Sequence, residues 1–252
     1  MKISIITSCF NREKTIRDSI ESVLRQDYTD IEYIIIDGAS SDRTTQIIKE
    51  YINNISLFIS EPDKGMYEGI NKGIKRATGD IIGLLHSDDI LYSPHTITHI
   101  AELFKKTNSD LIYGNGLFVD SNDLNKIVRK WISGPFNRNK VKRGWLPLHP
   151  TVYIRKECFK KLGYYDESFK IAADSDFLVR YLYKNILDVS YIDEYIVKMR
   201  MGGASTDLQK TTQKWKEDIR MYKRHGFNPY FSLTLKVLSK IPQFISAKIE
   251  KE

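Results

Sequence analysis

The sequence predicts an α/β fold: a mostly parallel sheet covered by helices on both faces. Two observations predict it. Apolar runs of strand length alternate with segments of helical spacing from residue 2 to residue 113. One of those runs, residues 80–85, is followed at once by His86-Ser87-Asp88-Asp89. Open α/β sheets bind ligands outside the carboxyl ends of their strands. Two adjacent carboxylates there suit a divalent cation such as Mg²⁺ or Mn²⁺, which in turn neutralises a diphosphate. The other reading is that Ser87 or Asp88 only caps the next helix.

Residues 2–7 read as the first strand, and residues 15–25 as a helix with Ile16, Ile20, Val23 and Leu24 at helical spacing. Residues 31–36 are the second strand. Ser40-Ser41-Asp42 offers N-caps to a helix over 42–51. A third strand follows at 55–59, a helix at 67–77 closed by Gly79, the strand at 80–85, a helix at 95–106 and a strand at 110–113. After residue 113 the alternation stops. Residues 116–130 suit a hairpin turning at Asp120-Ser121-Asn122-Asp123, and 131–147 a loop rich in Gly, Pro, Asn and basic residues. A short strand at 151–154, a helix at 173–183, a strand at 188–197 and a helix at 211–223 complete the pass.

The 252 residues, 41% hydrophobic and 28% charged, describe an ordinary globular chain with room for one core and exclude a disordered one. Cys9 and Cys158 form no spaced framework and read as buried packing residues, which fits a reducing cytosol. No apolar stretch reaches membrane-spanning length. The start lacks the basic, apolar and cleavage-site series of a signal peptide, so the expected location is cytoplasmic.

The net charge of +7 is uneven. From Lys210 to Glu252 there are ten Lys/Arg against four Asp/Glu, and residues 124–150 carry seven Lys/Arg and no acid. Such patches attract phosphates of nucleic acid, of anionic lipid or of a phosphorylated acceptor. In the tail, Phe231, Leu235 and Leu238 share a helical stripe with Lys236 and Lys240 off it, and Phe244, Ile245 and Ile249 continue beyond Pro242. Three readings stand: a helix lying on anionic lipid, a helix packed on the domain, or a dimer contact.

The second strand ends in Asp37-Gly38-Ala39-Ser40-Ser41-Asp42. An acid at a strand's carboxyl end can accept hydrogen bonds from a nucleotide base or ribose, or simply brace the turn. Together with Thr7-Ser8-Cys9-Phe10-Asn11 and His86-Ser87-Asp88-Asp89, this segment closely resembles glycosyltransferase family 2, enzymes of the GT-A fold. Further matches are Glu61-Pro62-Asp63-Lys64-Gly65, Asn71-Lys72-Gly73, Tyr164-Tyr165-Asp166-Glu167, Ala172-Ala173-Asp174-Ser175-Asp176 and Met201-Gly202-Gly203-Ala204-Ser205. The likeness runs from residue 2 to about residue 205, with the motifs in the family's order.

The resemblance implies roles by position. Thr7, Asn11 and Asp37 would hold the nucleoside, and Asp63, Lys64, Asn71 and Lys72 would shape the donor pocket. Asp88 and Asp89 match the acidic pair that binds ribose and metal. Some relatives carry a further acid where this chain has His86, which is either a softer metal ligand or a strand-end histidine bonded to the backbone. Asp174 matches the catalytic carboxylate, a general base at a helix start; the alternative is an N-cap. Ala173 stands where the family often has an acid, so support is expected from elsewhere, with Asp176 the candidate. His149 would bind a phosphate or pack. Arg200, Gly203 and Ser205 would form a phosphate-facing loop or a plain turn.

The resemblance thus implies an inverting, metal-dependent transferase using Mn²⁺ or Mg²⁺. It would move a sugar from a nucleoside diphosphate, UDP before GDP, to a saccharide or lipid-linked saccharide in surface-polysaccharide assembly. Residues 1–209 would form the GT-A domain, with a nucleotide-sugar half at 1–115 and an acceptor half at 116–209. Residues 210–252 would be a basic helical extension suited to a peripheral contact with the inner face of the membrane. A sugar-nucleotide nucleotidyltransferase is the rival enzyme, but its Gly-rich basic loop after the first strand is missing here. A nucleic-acid-binding protein, suggested by Trp215, Tyr222 and Arg224 in the basic tail, lacks a recognised motif.

Overall fold

The computed structural model describes residues 1–202 and 211–238. Gly203, Ser205 and the tail from residue 239 onward lie outside the described residues. Strands β1 (Ile3–Cys9), β2 (Ile31–Asp37), β3 (Leu57–Ser60) and β4 (Ile81–Leu84) are parallel and lie in the order β3-β2-β1-β4. The helices after them are α1 (Ile16–Leu24), α2 (Thr44–Glu50), α3 (Met66–Arg76) and α4 (Thr96–Thr107).

Strand side chains alternate between faces, and both faces are covered. Ile3, Ile5 and Ile35 pack with Ile16 and Ile20 of α1, Ile48 of α2 and Phe104 of α4. Ile6, Ile34 and Ile36 pack with Tyr67, Ile70 and Ile74 of α3. This double burial is why β1 and β2 read as near-continuous isoleucine runs. Helix α3 crosses β1 closely: a Cβ at Gly73 would fall 2.4 Å from Cγ2 of Ile6.

The second half continues the same sheet with mixed pairing. The short β5 (Ile90–Leu91), β6 (Leu111–Val119), β7 (Ile127–Trp131), β8 (Tyr153–Arg155) and β9 (Val189–Arg200) give the order β4-β8-β6-β9-β5, with β7 beside β6. The pair β6–β9 is parallel, and β8, β5 and β7 pair antiparallel. The hairpin expected around residues 120–123 is present. The strand expected to stop at Tyr113 runs on to Val119, because Gly114-Asn115-Gly116 is taken up as bulges against β9, where Asn115 Nδ2 donates to Asp193 Oδ1 at 2.9 Å. Helices α5 (Arg138–Val141), α6 (Lys156–Leu162), α7 (Ala173–Val179, continued by a wider turn to Lys184), α8 (Thr211–Arg224) and α9 (Pro229–Leu238) complete the described chain.

Two expectations change. A boundary at 209/210 does not set α8 apart: Met221 and Tyr222 are fully buried in the same core as Phe169, Phe177 and Leu178. Helix α9 is also packed on one side. Ser232 Oγ donates to the Lys142 carbonyl at 2.8 Å, and Gly144, at φ +86°, leaves no room for a Cβ against the Ser232 carbonyl. Lys236 turns inward to Asp218, 2.8 Å away, rather than outward to solvent. The opposite face of α9 exposes Tyr230, Phe231, Val237 and Leu238.

Candidate active site

The carboxyl ends of β1, β2 and β4 build one edge. Asp37 ends β2, fully buried, and accepts from Ser40 N at 3.0 Å and from Ser60 Oγ at 2.7 Å. The turn that follows places Ala39 at φ 62°, a left-handed conformation that costs a β-carbon residue about 1 kcal/mol and is concentrated at functional sites. Asn11, at φ 52°, tolerates that region better; its Oδ1 accepts from Ser41 N at 2.9 Å, and its N–H donates to Ser40 Oγ at 2.8 Å. The loops after β1 and β2 are thereby stitched together. Helix α2 begins at Thr44, not at the Ser40–Asp42 run, because Asp42 also accepts from Glu13 N in this stitch.

Asp63 lies against Gly38 across the edge. Burial pushes its carboxyl above the usual range, against the Gly65 N–H that donates to it at 2.9 Å. Lys72 Nζ reaches Glu61 at 3.0 Å, Glu68 at 3.2 Å and the Pro62 carbonyl at 3.2 Å, so it fixes the Asp63 loop. Lys64 itself is exposed. Asn71 donates from Nδ2 to the Tyr165 carbonyl and Glu167, and its Oδ1 accepts from Tyr165 N at 3.0 Å. Its amide is spent on joining α3 to the loop before α7. Thr7 departs from its expected role: it points into the core, Oγ1 3.2 Å from Tyr33 OH, because its place in β1 faces α1 rather than the edge.

The turn after β4 carries the acidic pair. Helix α1 holds it with a file of hydroxyls: Thr15 Oγ1 donates to the Ser87 carbonyl at 2.9 Å, Ser19 Oγ to that of His86 at 3.2 Å, and Ser22 Oγ accepts from Leu91 N at 3.1 Å. Asp89 is 2% exposed, and its Oδ1 accepts from Arg200 N at 3.3 Å. Its Oδ2 is buried with no partner among the described residues. Burial, and then the charge of Asp88, push the Asp89 carboxyl well above its ordinary range. An unpartnered buried carboxylate oxygen beside a second carboxylate fits a hard cation. No group of three or more His, Cys, Asp or Glu is arranged around a metal among the described residues. The pair would therefore be the protein's share of the ligands, as is usual where substrate phosphates supply the rest.

Burial pushes the His86 imidazole below its ordinary range, opposed by the charges of Asp88 and Asp174. Its ring lies 6.0 Å from that of His149. His149 is buried with Nε2 2.7 Å from Tyr165 OH; burial and His86 push it down to about 3. An uncharged, bonded imidazole packs rather than grips phosphate, which corrects the phosphate-binding expectation for His149. Arg200 is corrected too: its guanidinium is held by Asp18 and by the Ser121 carbonyl.

Asp174 and Asp176 separate sharply. Asp174 occupies the first turn of α7, half-buried, with Oδ1 accepting from Ser175 N at 2.6 Å. Its charge acts on His86, Tyr67 and Tyr165. Asp176 is 2% exposed, 2.9 Å from His225 and within 3.8 Å of Arg224 and Arg180. Two residues along a helix point to nearly opposite sides, so Asp176 joins α7 to α8 and neither acts at the edge nor braces Asp174. Another carboxylate, Glu217 of α8, receives the N–H groups of Lys170, Ile171 and Ala172 just before α7. Nothing local in the sequence marks Glu217. Arg12, whose charge acts on His86 and Asp89, was discoverable, since it adjoins the Asn11 motif.

The family model for glycosyl transferase family 2 matches residues 4–172. A PGL/p-HBAD biosynthesis glycosyltransferase of Mycobacterium bovis is 26% identical over 210 residues, spanning 81% of this chain and 79% of that protein. An uncharacterized glycosyltransferase of Mycobacterium tuberculosis is 32% identical over 181 residues, 71% of this chain and 68% of that protein. The crystal structure of S. aureus TarS 1-349 in complex with UDP-GlcNAc superposes with a TM-score of 0.68 at 22% identity, covering 98% of this chain and 79% of that one. The mannosyltransferase PcManGT from Pyrobaculum calidifontis, in complex with GDP-Man and Mn²⁺, gives 0.67 at 13% identity, covering 98% and 73%. Likeness at such low identity establishes the fold, which is GT-A.

Proposed function

The chain belongs to glycosyl transferase family 2, and we propose that it transfers one sugar, with inversion, from a UDP-sugar to a saccharide or lipid-linked saccharide in surface-polysaccharide assembly. The observation that carries this reading is the buried Asp89 Oδ2 beside Asp88, without a partner among the described residues and on the same strand edge as Asp37. The UDP-GlcNAc held by the TarS relative in fold supports UDP, and the Mn²⁺ in PcManGT supports a divalent ion. Asp37 and Asn11 would receive the nucleoside, and Asp88 with Asp89 would hold Mn²⁺ or Mg²⁺. Such an ion neutralises the diphosphate as it leaves, so no acid is needed there. Asp174 would accept the proton of the acceptor hydroxyl as that oxygen attacks the anomeric carbon from the face opposite the diphosphate.

Peripheral docking on the cytoplasmic face of the membrane is supported by the exposed Tyr230, Phe231, Val237 and Leu238 face of α9. No described helix is long and apolar enough to cross a membrane. The function is tested by screening nucleotide sugars for slow hydrolysis with Mn²⁺ and with EDTA. Cation-dependent release of UDP from one of them is expected. Release of pyrophosphate from a nucleoside triphosphate and a sugar phosphate, with every nucleotide sugar inert, would establish the nucleotidyltransferase instead.

A further inference from the structure

We propose that Glu217 is a positioning residue for Asp174: a carboxylate from α8 that fixes the backbone from which the catalytic turn starts. The inference rests on Asp174 being the base.

Helix α7 starts after Ala172, whose side chain caps nothing, and within its first turn Asp174 Oδ1 receives the N–H of Ser175. The first N–H groups of a helix have no partner within it, and Ala172 and Ala173 at its start have no side chain to supply one. Glu217, from 45 residues downstream, instead takes up the N–H groups of the three residues that lead into the helix. Its Oε2 receives Lys170 N at 3.1 Å, Ile171 N at 2.8 Å and Ala172 N at 3.0 Å. Its Oε1 receives Gln213 Nε2 at 3.0 Å. Burial acts to raise this carboxyl, but the N–H groups of Ile171 and Ala172 hold it below its ordinary range, so it is ionised at neutral pH. From the other side Tyr67 OH donates to the Ile171 carbonyl at 2.9 Å. Residues 170–172 are thus clamped between α3 and α8, and Asp174 follows two residues later.

The clamp has a chemical consequence beyond rigidity. Three free N–H groups beside Asp174 would draw its carboxylate to themselves, and a carboxylate that accepts more hydrogen bonds becomes a weaker base. Saturated by Glu217, they leave Asp174 to the acceptor. Glu217 touches no reacting atom in this scheme. It replaces, from a distant helix, the support that Ala173 cannot give.

The test uses the full chain and the nucleotide sugar hydrolysed fastest in the panel above, comparing Glu217→Ala, Glu217→Gln and Asp174→Asn. Glu217→Ala should lower kcat about 10²-fold, the scale of a small misplacement of a reacting group, with donor KM within about twofold. Glu217→Gln keeps an acceptor oxygen and should recover about tenfold of that loss. In both variants the acid limb of the kcat/KM profile should move to lower pH, since a nearby negative charge is gone. A second loss should be absent when Glu217→Ala is added to Asp174→Asn. Wild-type kcat in Glu217→Ala, or a deficit seen only as unfolding with an unmoved pH profile, overturns the inference. If Glu217→Ala does not fold, the pH profile of Glu217→Gln decides alone. A wild-type rate in Asp174→Asn instead overturns the underlying choice of base.

Discussion

Asp88 and Asp174 both act on His86, yet the chain secures them in different ways. The Asp88 turn hangs from a parallel strand and is tied by Thr15, just before α1, and by Ser19 and Ser22 of α1, the helix that follows the neighbouring strand. Asp174 lies in the first turn of a helix whose lead-in, residues 170–172, is tied by Glu217 of α8, beyond the end of the family match at residue 172. The donor edge is therefore a property of the strand order itself, as expected where ligands gather at the carboxyl ends of an open sheet. The Asp174 side is assembled by packing, and α8, which looked like an appendage, is part of it.

The sharpest way to break this contrast is at the donor edge. Asp89→Asn, or EDTA added to the wild type, should abolish turnover measured as UDP release. The fold should survive: Asn is uncharged, so the melting temperature in EDTA should be no lower than that of the wild type. Full activity in excess EDTA would remove the cation from the account.

On the acceptor side, Asp174→Asn should slow transfer by roughly 10²–10⁴-fold while UDP binding is unchanged. Asp176→Asn should do the reverse. Disturbing its buried contacts with His225 and Arg180 should destabilise the fold by about 1–3 kcal/mol in denaturant titration, with kcat of the folded protein kept. Equal kcat losses in the two variants would erase the distinction between them.

Much of the donor half was legible because its chemistry sits where strands end. Asp37, Asn11, Asp88 and Asp89 each follow an apolar run, so periodicity and motif agree. Thr7 misled because it belongs to the same motif but falls on the core-facing side of β1, a parity that depends on which helix covers which face. Asp176 misled because two acids in one helical turn look alike until the end of α8 brings in Arg224 and His225. Glu217 was invisible for the same reason: its partners are backbone N–H groups, which leave no trace in side-chain spelling. The strand end past Tyr113 was lost to Gly114 and Gly116, which read as a turn but serve as bulges.

A smaller effect is read by pH. His149, with a folded-state value of about 3, binds no proton near neutrality, whereas the unfolded chain protonates at its ordinary value of 6.5. Stability should therefore fall as pH drops below about 6.5 toward 3, with His86 contributing in the same direction. His149→Gln should flatten that slope in thermal melts across this range. A slope identical to wild type would mean that His149 is charged in the fold.

The smallest expected effect lies at the tail. Deleting residues 230–252 should abolish binding to anionic vesicles, which salt should also weaken in the intact protein, while donor hydrolysis is kept. Collapse of the truncated protein would mean that α9 belongs to the core as fully as α8 does.

Division of labour between the two carboxylate sites is tested most directly by titrating UDP into wild type, Asp174→Asn and Asp89→Asn in the presence of Mn²⁺. Wild type and Asp174→Asn should bind with the same affinity, and Asp89→Asn at least tenfold more weakly. Equal weakening in Asp174→Asn, or undiminished binding in Asp89→Asn, would contradict it.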